Sequence, residues 1–271
     1  MQCSKLKTET FKLEALFFPA GSFRRARDRG ATPAHRSMRY KSKIQAHLAV
    51  LAIVASAWAA DRVVVEDWRS YPVGTRGIPG EWKEQTWGKP TYDLEIVSDN
   101  GQPVLHLRSK GDSSTITREL KDSVDPKETP ILQWRWKVNT LPAGGNACRK
   151  ATDDEAAQVY VAWVRAPESV RSRIIGYVWD STAPAGTVCK SEKISTVTYI
   201  VLRSGADGLG NWITEQRNVA EDFRRIYGEA PDKPTALSLA IDSDDTRSSA
   251  ESFIGPAAFT PPRRTECMAA C

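Results

Sequence analysis

One segment, residues 131–164, constrains the fold of this chain more than any other. It begins with Ile-Leu-Gln-Trp-Arg-Trp-Lys-Val, in which apolar and polar side chains alternate. Successive side chains of a β-strand point to opposite faces, so Trp134 and Trp136 share one face while Arg135 lies on the other. Two tryptophans on one inward face bury a large apolar area. The segment therefore predicts a sandwich whose core contains both rings.

The chain from Val63 onward contains short candidate strands separated by Gly, Pro, Asp and Asn residues. Val159–Val164 is apolar on both faces, which is typical of a strand in the middle of a packed sheet. About ten strands at this spacing indicate an antiparallel sandwich. The predicted strands are Val63–Asp67, Tyr92–Val97, Val104–Arg108, Thr115–Leu120, Ile131–Val138, Val159–Val164, Arg173–Trp179, Thr196–Arg203, Trp212–Arg217, Ala236–Asp242 and Ser252–Phe259.

One helix is predicted after Asn218. Asn218 is a suitable N-cap, Glu221 follows three residues later as in a capping box, and Gly228 is placed to end the helix. The apolar residues between them fall on one stripe. No repeated βαβ units occur, so a doubly wound nucleotide-binding fold is not expected. The predicted fold class is all-β, an antiparallel β-sandwich with one short helix.

The first 60 residues differ in composition from the rest of the chain. They contain 11 Lys and Arg residues against three Asp and Glu, which leaves 27 basic and 30 acidic residues for the remainder. The overall charge of +5 therefore belongs to the N-terminal segment. The body is slightly acidic, so we expect no nucleic-acid partner. A body of about 210 residues is large enough for one well-buried domain.

Residues 38–59 have the features of a signal peptide. The basic stretch Met38–Lys43 precedes the apolar run Ala46–Ala57, and Ala57-Trp58-Ala59 fits a small-x-small cleavage site. This run is shorter than the ~20 residues of a membrane span, and the alternative is a short buried helix. We expect translation to begin at Met38, so that residues 1–37 are not part of the protein.

The mature chain would be a sandwich domain at 60–262 with a tail at 263–271. It would lie in the periplasm or outside the cell, and would meet a membrane only through the signal peptide.

The cysteines agree with export to an oxidising compartment. Beyond the signal peptide the chain has Cys148, Cys189, Cys267 and Cys271, which allow three pairings. We favour a disulfide between Cys148 and Cys189, because both lie in loops between predicted strands, and leave the pairing of the tail cysteines open. Zinc is not expected, since the sequence has no Cys-x-x-Cys motif and His106 is the only histidine after the signal.

The sequence has no motif of nucleophilic catalysis. His106 is the only imidazole that a Ser-His-Asp or Cys-His arrangement would have, and it lies in an alternating strand, where a surface or core-rim role is the simpler interpretation. There is no Gly-x-Ser-x-Gly elbow and no phosphate-binding Gly-x-x-x-x-Gly-Lys. We therefore predict no catalytic residue, no cofactor and no metal site.

Two acidic runs flank core strands. Asp153-Asp154-Glu155 precedes one strand, and Asp242-Ser-Asp244-Asp245 follows another. Glycoside hydrolysis needs two carboxyls roughly 5–9 Å apart, which spacing in sequence does not establish. The alternatives are solvated loops, or a hard-cation site built from carboxylates and backbone carbonyls. The second run begins like a calcium loop but lacks the Gly at the sixth position and the Glu at the twelfth, which excludes an EF-hand.

The outward face of the tryptophan strand carries Arg135 and Lys137. A second strand offers His106 and Arg108, and Arg203 ends a third. If these strands are neighbours, they form a basic face that suits an acidic or polyhydroxylated ligand. The alternative is a solvated face with cross-strand ion pairs. The candidate ligand-binding residues are Arg135, Asp154, Tyr160, Tyr177, Trp179, Arg203, Asp242 and Asp244.

Two further tryptophans, Trp82 and Trp87, lie in loop sequence rich in Gly, Pro and Lys. An exposed indole is a platform for a sugar ring or a partner chain. We interpret both as core residues, because tryptophan is mostly buried on average.

The sequence contains an ordered set of short motifs: Leu132–Val138, Asp153-Asp154, Val159–Val161, Tyr177–Trp179, Val201–Gly205, Gly208–Trp212, Glu215–Val219, Asp222–Arg225 and Asp242–Thr246. As a set they resemble the DUF3047 family, which consists of exported bacterial proteins of unknown function. The resemblance covers about residues 63–259. It implies an exported β-sandwich similar to jelly-roll carbohydrate-binding modules, and it implies no reaction. The chain departs from the family at Asp245 and Arg247, where the acidic turn usually has Asn and Gly, and it adds Cys148 and Cys189.

Together these patterns predict a jelly-roll-like sandwich that acts as a non-catalytic periplasmic binding module. The expected ligand is a glycan or another polar polymer of the cell envelope. The first alternative is a polysaccharide hydrolase or lyase that uses the carboxylates of Asp153, Asp154, Asp242 and Asp244. The second is a structural protein that pairs with an envelope partner.

Overall fold

Thirteen strands form two sheets in the computed structural model, which describes residues 62–262. The predicted leader, signal peptide and C-terminal tail, with Cys267 and Cys271, lie outside the described residues. The strands are β1 Val63–Glu66, β2 Lys83–Glu84, β3 Leu94–Asp99, β4 Gln102–Lys110, β5 Ser113–Glu119, β6 Ile131–Thr140, β7 Ala157–Trp163, β8 Arg173–Asp180, β9 Val188–Lys190, β10 Val197–Ser204, β11 Ile213–Asn218, β12 Ala236–Asp242 and β13 Ser249–Thr260.

The strands divide into a six-stranded and a seven-stranded sheet, here sheet A and sheet B. Sheet A has the order β11-β6-β13-β4-β3, with β1 paired to β13, and sheet B has the order β2-β5-β12-β7-β8-β10-β9. The predicted all-β sandwich is confirmed. One pairing departs from the antiparallel expectation, because β8 and β10 run parallel. The chain returns to the same end of the sheet through a crossover that contains β9, as a parallel pair requires.

The core lies between the inner faces of the two sheets. Trp134 and Trp136 on β6 are fully buried, and they meet two equally buried aromatic residues of β8. The ring centroids of Trp134 and Tyr177 are 5.4 Å apart, and those of Trp136 and Trp179 are 6.1 Å apart. Separations of this size are typical of favourable tilted aromatic contacts. The alternation in β6 therefore predicted the inward face correctly.

Two α-helices accompany the sheets in the described residues, α1 at Glu168–Arg171 and α2 at Val219–Tyr227, together with a short 3₁₀ helix at Lys150–Thr152. Helix α2 is the predicted one. The Oδ1 of Asn218 accepts a hydrogen bond from the backbone N–H of Glu221 at 3.1 Å, and Gly228 ends the helix with a φ of 73°. The left-handed backbone conformation at this position costs little free energy because the residue is a glycine. Phe223 is buried and contacts Trp163, so the apolar stripe of α2 covers one end of the core.

A smaller apolar cluster covers the outer face of sheet B. It includes Tyr199 and Val201 of β10, and half-buried Cys148 and Cys189 pack beside it. The predicted disulfide between these two cysteines is present, with a Cα–Cα distance of 5.7 Å. It joins the loop before β7 to the edge strand β9. The loop is therefore attached to the sheet by a covalent bond as well as by packing.

The two loop tryptophans have different environments. Trp82 is buried, stacks on Trp68 with a centroid distance of 5.6 Å, and donates from Nε1 to the Glu66 carboxylate at 2.9 Å. Trp87 is 57% exposed. The expectation of a core position is thus correct for Trp82 and wrong for Trp87. Among residues 62–262, no helix is long and apolar enough to cross a membrane.

The disulfide gives a test of how the loop before β7 is held. We expect replacement of Cys148 and Cys189 by alanine to lower the free energy of unfolding by about 4 kcal/mol, because the bond closes a loop of 41 residues in the unfolded chain. Urea unfolding of the oxidised protein and the double variant measures the difference. The reduced wild-type protein is the matched control, and a loss below about 1 kcal/mol would contradict the chain-entropy account.

Candidate functional site

The outer face of sheet A carries a cluster of rings and cations, here called the aromatic face and defined by Trp212, Phe253, His106, Arg135 and Lys137. The guanidinium of Arg135 lies 4.9 Å from the centroid of Trp212. The ammonium of Lys137 lies 4.3 Å from the centroid of Phe253, and the His106 ring stacks on Phe253 at 4.1 Å. Cations over ring faces are attracted by the ring quadrupole. The result is a surface of ring faces edged by positive charge.

Strand register explains why these residues meet. Phe253 of β13 pairs with Lys137 of β6 on one side and with His106 of β4 on the other. A glycine two residues further along β13 lies close to Arg135. A Cβ at Gly255 would lie 3.2 Å from the Arg135 Cβ and 3.5 Å from the Trp212 ring. The missing side chain therefore leaves room for Arg135, whereas the indole would be at an ordinary contact distance.

The exposure of the face decides what a ligand can reach. Arg135 is exposed and Trp212 is half-buried, whereas Phe253 and His106 are each only 9% exposed. A shallow cavity of about 110 Å³ opens beside Trp212 and Arg135, with Asp99 and Gly255 among its other lining residues. Trp212 is therefore the ring that a ligand would contact first.

Ion pairs neutralise most of the charge on this surface. Lys137 pairs with Asp99, which also accepts a hydrogen bond from Trp212 Nε1 at 2.9 Å. His106 contacts the Glu251 carboxylate at 2.8 Å, and Arg108 pairs with Asp93 at 2.7 Å. Cross-strand pairs, which were the alternative to a free basic face, are thus present. Among the ion pairs of residues 62–262, none includes Arg135.

These contacts shift the pKa values of two carboxyls. The hydrogen bond from Lys137, together with the one from Trp212, lowers the pKa of Asp99 below its ordinary value. The hydrogen bonds and charge of Arg108 lower the pKa of Asp93 in the same way. Favourable partners of the ionised form are the physical cause in both cases.

Several of the predicted ligand-binding residues do not reach the aromatic face. Tyr177 and Trp179 lie in the core, because β8 turns them inward, and this corrects the expectation that they bind a ligand. The hydroxyl of Tyr177 donates to Asp222 at 3.0 Å, and the indole N–H of Trp179 donates to the Gly205 carbonyl at 3.1 Å. Their polar atoms are satisfied inside the protein.

Tyr160 and Arg203 lie on other surfaces. Tyr160 alternates with buried Val159 and Val161 on β7, so it points outward from sheet B, on the opposite side of the sandwich from Arg135. The Nε of Arg203 donates to Glu215 at 2.8 Å. The predicted set of ligand-binding residues is therefore spread over several parts of the fold, and Arg135 is its one member on the aromatic face.

The two acidic runs do come together. Carboxylate oxygens of Asp154, Asp242 and Asp244 all lie within 4.8 Å of one another. Asp154 is fully buried, and its two oxygens accept hydrogen bonds from the backbone N–H groups of Asp245 at 3.1 Å and Thr246 at 2.7 Å. Antiparallel pairing of β12 with β7 brings the two loops to the same end of sheet B. We call these residues, with Asp153, Glu155 and Asp245, the acidic cluster.

Burial has a strong effect on the carboxyls of the acidic cluster. It raises the pKa of Asp153 to about 6, and the charges of Asp245 and Asp154 act in the same direction. It also raises the pKa of Glu155 well above the ordinary range, helped by the charges of Asp153 and Asp242. Burial keeps water from solvating these carboxylates well, which disfavours their ionised forms. Among the described ion pairs, the one between Lys193 and Asp245 supplies the positive charge that offsets their repulsion.

A third region is basic. A cavity of about 720 Å³ lies between the end of α2 and the edge of sheet B. It is lined by Arg173, Lys190 and Arg225, by hydroxyl residues and by Tyr227, and no carboxylate lines it. Arg225 pairs with Asp222 at 3.2 Å, whereas Arg173 and Lys190 take part in no ion pair among the described residues. This cavity could therefore receive an anionic group.

Sequence reasoning missed three residues that shape the aromatic face. Trp212 was placed in a strand but was not assigned to a surface. Phe253 could have been found from its position between inward-facing Ser252 and Ile254. Asp99 lies just beyond the predicted strand Tyr92–Val97, and nothing in its local pattern indicates that it meets Trp212 across 113 residues of sequence.

The two packed sheets and the exposed ring-and-cation surface define a β-sandwich protein with an open candidate binding face. The chain belongs to the family described as "Protein of unknown function (DUF3047)", whose model matches residues 80–257. The resemblance expected from the sequence is thereby confirmed. A search of the curated proteins found no match.

Several solved structures are similar to this chain. The family 30 carbohydrate-binding module of a cellulosomal cellulase of Clostridium thermocellum is 14% identical, with 74% of this chain and 98% of that chain covered and a TM-score of 0.41. The family 11 module from the same organism, solved with a mixed-linked tetrasaccharide, is 10% identical, with coverages of 74% and 95% and a TM-score of 0.38. The xyloglucanase domain of an effector from Sinorhizobium fredii is 11% identical, with coverages of 67% and 93% and a TM-score of 0.38.

The contacts of Asp99 predict a pH dependence. Its folded-state pKa lies below the unfolded value, so its stabilising effect is complete above the unfolded pKa of about 4 and is lost as the pH falls through the folded pKa. We expect Asp99→Asn to lower the free energy of unfolding at pH 7 and to have progressively less effect below about pH 4. Urea unfolding across this range measures the difference. Asp207→Asn, at an exposed turn, is the control, and a pH-independent effect of Asp99→Asn would contradict the prediction.

Proposed function

We propose that this protein is an exported, non-catalytic binding protein for a glycan or another polar polymer of the cell envelope, and that the aromatic face is its binding surface. The observation that carries this proposal is the position of Trp212 beside exposed Arg135 on an open sheet face. A sugar ring offers apolar C–H faces and a rim of hydroxyl groups. An indole and a neighbouring guanidinium supply the matching stacking surface and hydrogen-bond donors.

The charge balance of the face favours a neutral, polyhydroxylated ligand over a strongly acidic one. Lys137 and Arg108 each pair with a carboxylate, so their charges are largely compensated, and His106 also contacts a carboxylate. An acidic polymer would have to compete with these carboxylates for the cations. Hydroxyl groups, in contrast, can donate to the carboxylates and accept from the cations without breaking the pairs.

Two features support export. Residues 38–59 have the charge order, apolar run and cleavage pattern of a signal peptide. The disulfide between Cys148 and Cys189 is of a kind that forms and persists in oxidising compartments. An envelope polymer is therefore a ligand that the protein would meet after export.

The alternative is a polysaccharide hydrolase or lyase that uses the acidic cluster. The burial of Asp154 favours binding over this alternative, because a substrate has no access to a carboxylate with zero exposure. Both oxygens of Asp154 already accept backbone hydrogen bonds, which is what a residue that holds a turn requires. A nucleophile or general base needs contact with the reacting group.

Substitution of Trp212 tests the proposed surface. We expect Trp212→Ala to weaken binding by roughly 30-fold, which corresponds to the ~2 kcal/mol of an aromatic residue at the centre of an interface. Affinity electrophoresis of the purified protein in gels that contain single neutral or acidic polysaccharides measures the change. Trp87→Ala is the matched control, since this exposed indole lies in a loop outside the aromatic face.

Other outcomes would relocate or replace the proposed function. If Trp87→Ala rather than Trp212→Ala abolishes binding, the aromatic face is not the site. If binding is confined to acidic polymers and is lost in Lys190→Ala, the ligand occupies the basic cavity instead. Release of reducing ends from any polysaccharide of the panel, abolished by Asp242→Asn, would establish the enzyme in place of the binding protein.

A further inference from the structure

The acidic cluster lies at the end of sheet B where two loops meet. One loop precedes β7 and contributes Asp153, Asp154 and Glu155. The other connects β12 to β13, and its residues Asp244 and Asp245 follow Asp242 at the end of β12. The backbone N–H of Asp242 donates to the Glu155 carbonyl at 3.0 Å, so the two loops are also joined through their main chains.

The cluster holds far more negative than positive charge. It contains six carboxyl groups, and Lys193 is the cation that forms an ion pair with it among the described residues. Lys193 contacts Asp245, which leaves Asp154, Asp242 and Asp244 without a cation of their own. Buried carboxylates are generally paired or coordinate a metal, because an isolated charge is costly away from water.

Two buried oxygens in the cluster have no hydrogen-bond partner. They are Oδ1 of Asp153 and Oε1 of Glu155, on side chains of residues that are only 5% and 1% exposed. The charges of Asp153, Asp242 and Asp154 all act on the Glu155 carboxyl, which therefore lies among the carboxyls of the cluster. An acceptor that is buried without a donor is a position that a cation would satisfy.

The ligand set has the composition of a hard-cation site. We propose that Asp154, Asp242 and Asp244 bind one calcium ion. The buried carboxyl groups of Asp153 and Glu155 lie next to these ligands and are not assigned to the ion. Calcium takes carboxylate and carbonyl oxygens at roughly 2.3–2.6 Å, so oxygens on opposite sides of the ion are up to about 5 Å apart. The three carboxylates, with oxygens within 4.8 Å of one another, meet this limit.

The individual ligands differ in how they are held. The backbone hydrogen bonds to Asp154 occupy one lone pair on each oxygen and leave another free for the ion. Asp242 is oriented by the Ser113 hydroxyl, which donates to it at 2.8 Å. Asp244 is exposed, so it gives the ion a path from solvent and leaves room for water ligands. An irregular site of this kind suits calcium better than magnesium, which demands a near-octahedral geometry.

Zinc and other soft metals do not fit the cluster. It contains neither histidine nor cysteine, and His106 lies on the outer face of sheet A. Oxygen-only ligand sets favour calcium, magnesium or manganese. The ion would bridge the loop before β7 and the β12–β13 turn.

Calcium titration of the purified full-length protein tests this site. After treatment with EDTA and dialysis, we expect isothermal titration calorimetry with CaCl₂ to show one ion per chain, and saturating calcium to raise the Tm by several degrees, because a ligand that binds only the folded state stabilises it. Asp244→Asn should weaken the affinity at least about tenfold, since one of three charged ligands becomes neutral. Asp207→Asn removes the same charge at an exposed turn and should bind calcium like the wild type.

Each other result would overturn the proposal. A wild-type protein that gives no binding heat and no change in Tm with calcium has no such site. Unchanged calcium affinity in both Asp244→Asn and Asp242→Asn would place the ion elsewhere. A Tm increase with magnesium equal to that with calcium would reject calcium as the specific ion. Wild-type calorimetry needs no variant, so it decides the question even if Asp242→Asn does not fold.

Discussion

The structure depends on the contact of four aromatic residues between its two sheets. Trp134 and Trp136 of β6 meet Tyr177 and Trp179 of β8, and all four are fully buried. The indole N–H groups of Trp134 and Trp136 have no hydrogen-bond partner, so the apolar gain of burying these rings outweighs the cost of two unsatisfied donors. This contact also fixes the register of β6. A slip by one residue would turn both tryptophans to the surface.

Most of the fold could be predicted because periodicity is a local property. The alternation of β6 gave its inward face, and the Asn218 cap with Gly228 gave the limits of α2. Strands β2 and β9, with two and three residues, are too short for a periodic pattern. β8 is apolar on both faces, so its sequence does not say which face turns inward. Tyr177 and Trp179 were assigned to a surface for that reason.

The candidate site was less predictable, because it depends on which strands are neighbours. Alternation placed Arg135 outward. The contact of Lys137 with Asp99, in contrast, depends on the strand order of sheet A, in which β13 and β4 lie between β6 and β3. The meeting of Asp154 with Asp242 similarly follows from the pairing of β7 with β12 across nearly ninety residues of sequence. No local sequence pattern shows which strands are neighbours, whereas the strand pairing in the structure does.

The aromatic face and the acidic cluster are connected through β13. Asp154 holds the turn at Asp245 and Thr246 by two backbone hydrogen bonds, and β13 begins three residues later. The same strand then carries Phe253 and the glycine beneath Trp212. A cation in the cluster would fix the turn and with it the start of the strand. The two regions lie on different parts of the sandwich, so the metal would act on binding by positioning a strand and not by touching the ligand.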